Sequence, residues 1–141
     1  MSLMRAMAIG AAGLSAQRSR MELVSSNLAN ARTTRTPEGG PYRRRQPIFV
    51  AQPVKAGHHD SLGRSIRSVR MVRVVEDPSP PLLRFEPGHP DADAEGMVAY
   101  PNIDPIKEMI DMLSATRSYE AGVTLVRSIR DMGRSALQII A

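Results

Sequence analysis

The N-terminal end of the chain has an apolar residue at every seventh position. Met7, Leu14, Met21 and Leu28 form this repeat, and most of the charged residues nearby fall on other sides of a helical wheel. Residues seven apart lie on one face of an α-helix, so the spacing is typical of an amphipathic helix. We therefore predict a helix over residues 1–31.

The C-terminal end carries a wider apolar surface. Asp104 and Pro105 suit the N-cap and the first helical position, and they begin a second predicted helical segment over residues 103–141. The apolar residues at helical spacing within it are Ile106, Met109, Ile110, Leu113, Val123, Val126, Ile129 and Ile140. A second stripe consists of Leu125, Met132 and Ile139. Both stripes together exceed what one neighbouring helix covers, so we expect contacts within the chain and with another subunit.

Proline separates the two helical ends from the middle of the chain. All 11 prolines lie between Pro37 and Pro105, and proline breaks helix interiors. The middle, residues 32–102, contains β-branched runs bounded by Pro/Gly turns. The predicted strands cover residues 46–52, 66–76 and 97–100. The predicted fold class is α+β, with two long terminal amphipathic helices paired in a coiled-coil-like manner and a small β-rich middle.

Charge is divided unevenly along the chain. Residues 1–75 hold 13 Lys/Arg and 3 Asp/Glu, whereas residues 76–141 hold 6 and 11, so the halves carry +10 and −5 and sum to the chain's +5. Such halves attract when copies meet head to tail, although a basic half also favours nucleic acid or an anionic membrane as partner. No run approaches the roughly 18 apolar residues of a membrane-spanning helix. The chain has no cysteine, which excludes disulfides and cysteine zinc sites.

Candidate metal and catalytic residues lack the spacing that their chemistry requires. Asp91, Asp93 and Glu95 resemble the start of a calcium loop, but Asn102 stands where that loop needs a glutamate. The other candidate metal ligands are His58, His59, Asp60 and His89. Adjacent histidines point in different directions on most backbones, so a solvated loop is the preferred interpretation. No phosphate-binding loop or nucleophile–histidine motif is present, and we predict no enzyme activity, no cofactor and no small-molecule substrate.

A basic run leaves nucleic-acid binding open as an alternative. Arg43, Arg44 and Arg45 stand next to Tyr42 and near Phe49, and interleaved basic and aromatic residues can hold phosphates and stack bases. However, the chain has only 3 Tyr and 2 Phe and no Trp, and no helix-turn-helix or RNA-binding signature appears. We therefore favour a solvated or interface cluster.

Several strings of this sequence match a known pattern. They are Ser25–Ala31 (SSNLANA), Thr33–Arg44 (TTRTPEGGPYRR), Pro87–Gly96 (PGHPDADAEG), Tyr100–Asn102 (YPN), and Glu108-Met109 with Arg117–Ala121 (RSYEA). In these strings the chain resembles the bacterial flagellar axial proteins, the rod and hook group, and within that group the proximal rod proteins. The resemblance covers nearly the full length. The departures are Met97, where an aromatic is expected, and Gly122, where Asn is expected.

The resemblance implies a structural subunit. Rod proteins of this kind stack helically into a hollow shaft in the periplasm above the inner-membrane ring and pass torque towards the hook. They leave the cell interior unfolded through the flagellar type III export apparatus, without a cleaved signal peptide. Residues 1–16 agree with this expectation because they are weakly hydrophobic, and because the seven-residue apolar repeat runs through them to Leu28, so cleavage would halve the first helix.

The resemblance also sets the expected partners. They are other copies of the chain, other rod proteins, proteins of the inner-membrane ring and export gate at the rod base, and the export apparatus, with no nucleic acid. The resemblance further implies that the terminal helices pair and line the channel of the shaft, while the middle of the chain faces outward. We predict that the repeat Met7, Leu14, Met21 and Leu28 packs against Ile106, Ile110, Leu113, Val126 and Ile129.

Polar residues complete the predicted assembly interface. Asn27 and Asn30 are predicted to fix the turn after the first helix, since Asn caps helices and tolerates left-handed backbone. The basic run 43–45 is predicted to meet the acidic stretch 91–95 of a neighbouring copy or of another rod protein. The last two members of the predicted interface are Tyr119 and Glu120.

Overall fold

Two long helices stand at the ends of the chain, and short strands lie between them. The structure, a computed structural model, describes residues 3–54 and 66–140. The elements are α1 (Leu3–Ala29), β1 (Arg45–Pro53), β2 (Arg67–Glu76), β3 (Leu82–Phe85), β4 (Met97–Tyr100) and α2 (Pro105–Ile140). The predicted α+β class, with helical ends and a small β middle, is confirmed.

The helices α1 and α2 pack against each other in antiparallel directions. Leu3 lies beside Gly133 at one end of this helical hairpin, and the side chains of Asn27 and Glu108 meet at the other. Halfway along, a Cβ atom on Gly122 would lie 2.9 Å from Cδ2 of Leu14. The missing side chain at Gly122 therefore allows the two helices to approach closely.

The face of α2 that meets α1 differs from the predicted one. Its members include Glu108, Ala115, Gly122, Val126 and Ile129. All of these except Val126 follow one another at intervals of seven residues. Glu108, Ala115 and Ile129 are 1%, 0% and 6% exposed.

The predicted packing of Ile106, Ile110 and Leu113 against α1 is wrong, because their side chains are 70%, 61% and 53% exposed. Residues 106 and 110 stand two positions from Glu108, which is roughly 200° around an α-helix. They therefore face away from α1. Val126 and Ile129 do lie on the α1 side, as predicted.

Two separate two-stranded sheets form the middle of the chain. The first sheet is β1 paired antiparallel with β2, with a bulge between Ile48 and Phe49, and the second sheet is β3 paired antiparallel with β4. The first sheet rests on α1, where the guanidinium of Arg20 lies 5.7 Å from the ring centre of Phe49. The three predicted strands are confirmed to within one residue at each end, whereas β3 was not predicted.

The start of α2 follows its sequence signal. Asp104 Oδ1 accepts hydrogen bonds from the backbone N–H groups of Ile106 (2.9 Å) and Lys107 (3.4 Å), as an N-cap residue does. Pro105 occupies the first helical position, where its missing N–H has no cost. Over the ranges 3–54 and 66–140, neither helix has the length and hydropathy needed to cross a bilayer.

Candidate assembly interface

Asn27 joins both helices to the first sheet. Its Nδ2 donates to the backbone carbonyl of Arg45 (2.9 Å) and to Oε2 of Glu108 (3.0 Å). Its Oδ1 accepts from the backbone N–H of Arg45 (2.9 Å) and from the hydroxyl of Tyr42 (3.2 Å). The side chain is 1% exposed, so all these bonds replace contacts with water.

Glu108 supplies a buried negative charge to the same cluster. Its Oε1 accepts a hydrogen bond from Nε of Arg44, whose side chain is 23% exposed. Arg44 also reaches Asp111 on the next turn of α2, with 3.5 Å between Nη2 and Oδ2. A buried carboxylate needs a charged partner and further hydrogen bonds, and Arg44 and Asn27 provide them. We call Asn27, Tyr42, Arg44 and Glu108 the junction cluster.

The predicted turn role applies to only one of the two asparagines. Asn27 lies inside α1 and belongs to the junction cluster, so its assignment to the turn is wrong. Asn30 does shape the turn: its Nδ2 donates to the carbonyl of Ser26 (2.9 Å), and its Oδ1 accepts from the hydroxyl of Thr33 (3.1 Å). Neither residue has positive φ, so neither uses a left-handed backbone.

The basic run is largely engaged inside its own chain. Arg44 belongs to the junction cluster, and Arg45 pairs with Glu76 across the first sheet at 3.4 Å. Arg43 is exposed. Within its own chain Arg44 already pairs with two carboxylates of α2, which leaves Arg43 and Arg45 as the exposed members of the run. The contact of this run with the acidic stretch of a neighbour stays a prediction.

The acidic stretch 91–95 forms a tight loop, partly tied to the turn after α1. Asp91 accepts a hydrogen bond from the hydroxyl of Thr34 (2.8 Å) and lies 3.6 Å from Arg35. Asp93 Oδ1 accepts from the backbone N–H groups of Glu95 and Met97. No group of three or more potential metal ligands occurs in the described chain, and residues 58–60 fall outside it.

An apolar surface on α2 remains uncovered. Ile106, Ile110 and Leu113 are joined on it by Met109, which is 56% exposed. We call these four residues the outer stripe. Contiguous exposed apolar side chains of this kind are typical of a surface that another protein covers.

A second apolar surface lies between the two helices, in the half of the hairpin where Leu3 meets Gly133. It is an open groove of about 510 Å³. Its lining residues are Ala6, Ile9, Gly10, Gly13, Leu14, Gln17, Ser118, Gly122, Leu125, Ile129 and Met132. A Cβ atom added at Gly13 would meet nothing within 4 Å, so the floor of the groove is open there. The Oε1 of Gln17 is buried and has no hydrogen-bond partner among residues 3–54 and 66–140.

The remaining predicted residues lie on or beside the helical hairpin. Met7, Leu14, Met21 and Leu28 are half-buried, and the Sδ of Met21 accepts a hydrogen bond from the hydroxyl of Thr116 at 3.5 Å. Tyr119 is half-buried beside Arg18, and their hydrogen bond raises the pKa of the Arg18 guanidinium. Glu120 is exposed.

Sequence reasoning missed two members of the junction cluster. Tyr42 and Glu108 are 8% and 1% exposed, yet neither was predicted to contribute to the site. The position of Glu108 in the sequence was the available signal. Glu108 stands seven residues before Ala115 and fourteen before Gly122, so it shares a helix face with these two small residues, which allow close packing.

Comparisons with known proteins agree with this architecture. Residues 7–35 match the family "Flagella basal body rod protein". Residues 94–139 match the family "Flagellar basal body rod FlgEFG protein C-terminal". The two matched segments contain most of α1 and most of α2, so the similarity extends over both helices of the hairpin.

Curated relatives are similar over almost the whole chain. The flagellar basal-body rod protein FlgC of Borreliella burgdorferi is 42% identical, with 99% of each chain covered. FlgC of Bacillus subtilis is 40% identical with the same coverage, and FlgC of Salmonella typhimurium is 36% identical over 94% of this chain and 93% of its own. These relatives give no support to the nucleic-acid alternative. The chain belongs to the FlgC family of flagellar basal-body rod proteins and is a structural subunit of the flagellar rod.

Proposed function

We propose that this chain is a non-enzymatic subunit of the proximal rod, which assembles with its own copies and with other rod proteins into a hollow shaft in the periplasm. The shaft transmits torque and lets exported subunits pass. The subunit itself reaches the rod through the type III export apparatus, without a cleaved signal peptide, and meets proteins of the inner-membrane ring at the rod base. Family membership supports the rod itself, and the surface of the hairpin supports assembly through the helices.

The outer stripe is the observation that carries the proposal. Four apolar side chains on adjacent turns of one helix are more than half exposed and face away from α1, so the helical hairpin itself leaves them uncovered. Burying apolar surface contributes about 25 cal/mol per Å², so a neighbouring helix that covers this stripe gains stability from it. An exposed stripe on a paired helix therefore favours a subunit that is completed by its neighbours.

The groove provides a second surface for assembly. It lies near residues 10–17 and 118–132, whereas the outer stripe lies near the start of α2. The two surfaces differ, so contacts that join one to the other are heterologous and repeat from copy to copy. Heterologous contacts form a ring where the rotation between copies closes and an open helix where it does not, and a helical rod uses the open kind.

Deletion of the chain in its source organism tests the function directly. We expect non-motile cells whose basal bodies, seen by electron microscopy, retain rings and lack a rod. Intact flagella and normal swimming in the deletion strain would contradict a role in the proximal rod.

Two substitution pairs test the helical surfaces. Ile110→Asp places a charge on the outer stripe at a position that is already 61% exposed, so the fold is preserved while assembly is lost. Ile110→Leu, which keeps an apolar side chain at the same position, is the matched control, and cells that carry it are expected to swim normally. Gly13→Leu fills the open floor of the groove, whereas Gly13→Ala adds a single methyl group. Normal rods in cells that carry both Ile110→Asp and Gly13→Leu would overturn assembly through these faces.

A further inference from the structure

The outer face of the first sheet combines apolar and basic side chains. Ile48 and Val50 alternate along β1, and their cross-strand partners on β2 are Arg73 and Arg70. Cross-strand partners lie on the same face of a sheet, so these four residues share one surface. Ile48 and Val50 are 38% and 43% exposed, and both arginines are exposed. Phe49 lies on the opposite face, which α1 covers.

The second sheet carries the complementary combination. Leu83 and Phe85 alternate along β3 and are 63% and 68% exposed. Glu95 and Asp93 stand exposed in the loop that leads into β4. Phe85 lies against Gly96, the residue that follows Glu95, so this apolar surface adjoins negative charge. The apolar surface of the first sheet adjoins positive charge instead.

The charge difference extends over the whole middle of the chain. Residues 32–75 hold 10 Lys/Arg and 2 Asp/Glu, which gives +8. Residues 76–104 hold 1 Arg and 7 Asp/Glu, which gives −6. In the described part of the chain the two sheets do not pack against each other, so one chain does not bring these surfaces together.

We propose that the outer face of the first sheet docks on the second sheet of a neighbouring copy of the same chain. Ile48 and Val50 then cover Leu83 and Phe85, and the arginines face Glu95 and Asp93 across the contact. This contact adds a second interface to the proposed rod function and rests on it. A second copy is the occupant because one chain carries both halves of the match, in apolar character and in charge.

The contact has two physical contributions. Covering four exposed apolar side chains stabilises it, since an isolated two-stranded sheet is only marginally stable in water. Opposite charges set the orientation and disfavour pairing of two basic faces, because like charges repel. Since different faces meet, one copy keeps its acidic face free and the other keeps its basic face free, and these two faces continue the chain of contacts.

Cysteine cross-linking tests the geometry. The chain has no cysteine, so a disulfide can form only between introduced residues. We expect the double variant Val50→Cys and Leu83→Cys, expressed in place of the native chain, to yield covalent multimers from purified basal bodies after mild oxidation. Reduction should return the monomer. The matched control is Val50→Cys with Leu137→Cys, whose second cysteine lies at an exposed position near the end of α2 and should give no multimers. Absence of multimers from the first variant in motile cells would overturn the proposal.

Charge reversal tests the electrostatics on one strand. Arg73→Glu changes the outer face, whereas Arg67→Glu makes the same change on the opposite face, because Arg67 pairs with Pro53. We expect Arg73→Glu to remove most swimming, Glu95→Arg in the same chain to restore it, and Arg67→Glu to have no such effect. Asp93 is left unchanged because it holds the loop through two backbone N–H groups.

The outcomes separate this inference from the proposed function. If Arg73→Glu and Arg67→Glu swim alike while Ile110→Asp removes the rod, the sheet contact is wrong and the rod role stands. If Ile110→Asp and the deletion strain also swim normally, the rod role itself is wrong.

Discussion

Replacing Asn27 with alanine should lower the free energy of unfolding more than replacing Asn30, the other asparagine near the end of α1. The change removes four hydrogen bonds at once. Tyr42 keeps a partner in Ser26 at 3.2 Å, and Glu108 keeps Arg44. The backbone N–H and C=O of Arg45 both lose the amide that they bind.

The magnitude follows from these two backbone groups. A polar group that loses its partner on burial costs about 1–3 kcal/mol, so two such groups cost about 2–6 kcal/mol. Both bonds are only partly buried, and water entering at Arg45 reduces the cost. We expect the free energy of unfolding to fall by about 2–4 kcal/mol, which shifts the folding equilibrium roughly 30-fold or more. This is a large share of the roughly 5–15 kcal/mol typical of a domain.

Asn30→Ala is the matched control. Asn30 also bonds through both amide atoms, but to Ser26 and Thr33 in the turn, where water replaces the lost contacts. Its truncation should cost about 1 kcal/mol or less. Urea unfolding followed by circular dichroism measures both losses, and amide hydrogen exchange at Arg45 reports the specific bond. Equal losses for the two variants, with unchanged exchange at Arg45, would refute the role given to the junction cluster.

Three further predictions concern single side chains. Gly13→Ala should raise the free energy of unfolding by about 0.5–1 kcal/mol, because the added methyl meets nothing in the helix interior and glycine is a poor helix former; a lower melting temperature would contradict it. Asp104→Ala should cost about 1 kcal/mol through the lost N-cap, whereas Asp104→Asn should restore most of it in the same thermal melt. Glu86→Gln should lower the pKa of Tyr100 towards its usual range, because the hydrogen bond to Glu86 raises it; phenolate absorbance in an alkaline titration, with Tyr100→Phe as blank, measures the shift. Because the folded pKa of Tyr100 lies above its unfolded value, the stabilisation is present below pH 10 and is lost as pH rises through the folded pKa, so an unchanged titration in Glu86→Gln would contradict the assignment.

The helices and most strands were predictable because their signals are local. Proline is confined to the middle, and the apolar repeats run through both ends, so element type followed from spacing alone. The start of α2 was predictable from Asp104 because an N-cap is also a local signal, formed with backbone groups two and three residues away. The strand β3 was missed because its leucines and phenylalanine are exposed and prolines stand on both sides, so no buried pattern marked it.

The orientation of α2 was not predictable from hydrophobicity. The face that meets α1 contains a glutamate and a glycine, whereas the most apolar face points outward. Glu108 is acceptable inside only because Arg44 and Asn27, distant in sequence, bind its carboxylate. The spacing of residues within one helix does not show which residues from distant parts of the chain will bind a side chain on it. The same limit hid the role of Asn27, which looked like a turn residue because it stands near the end of its helix.

The antiparallel hairpin determines where a reporter can be attached. Leu3 and Gly133 lie together at one end of it, roughly 36 Å along α1 from Asn27 at 1.5 Å per residue. A fluorescent domain fused before α1 or after α2 therefore lies at the same end of the hairpin as the groove and competes with any neighbouring subunit there. The turn at Gly39 and Gly40 is at the opposite end, exposed, with positive φ at both residues. An epitope inserted in that turn leaves both helices untouched, which makes it the preferred position for locating the subunit in isolated basal bodies with an antibody.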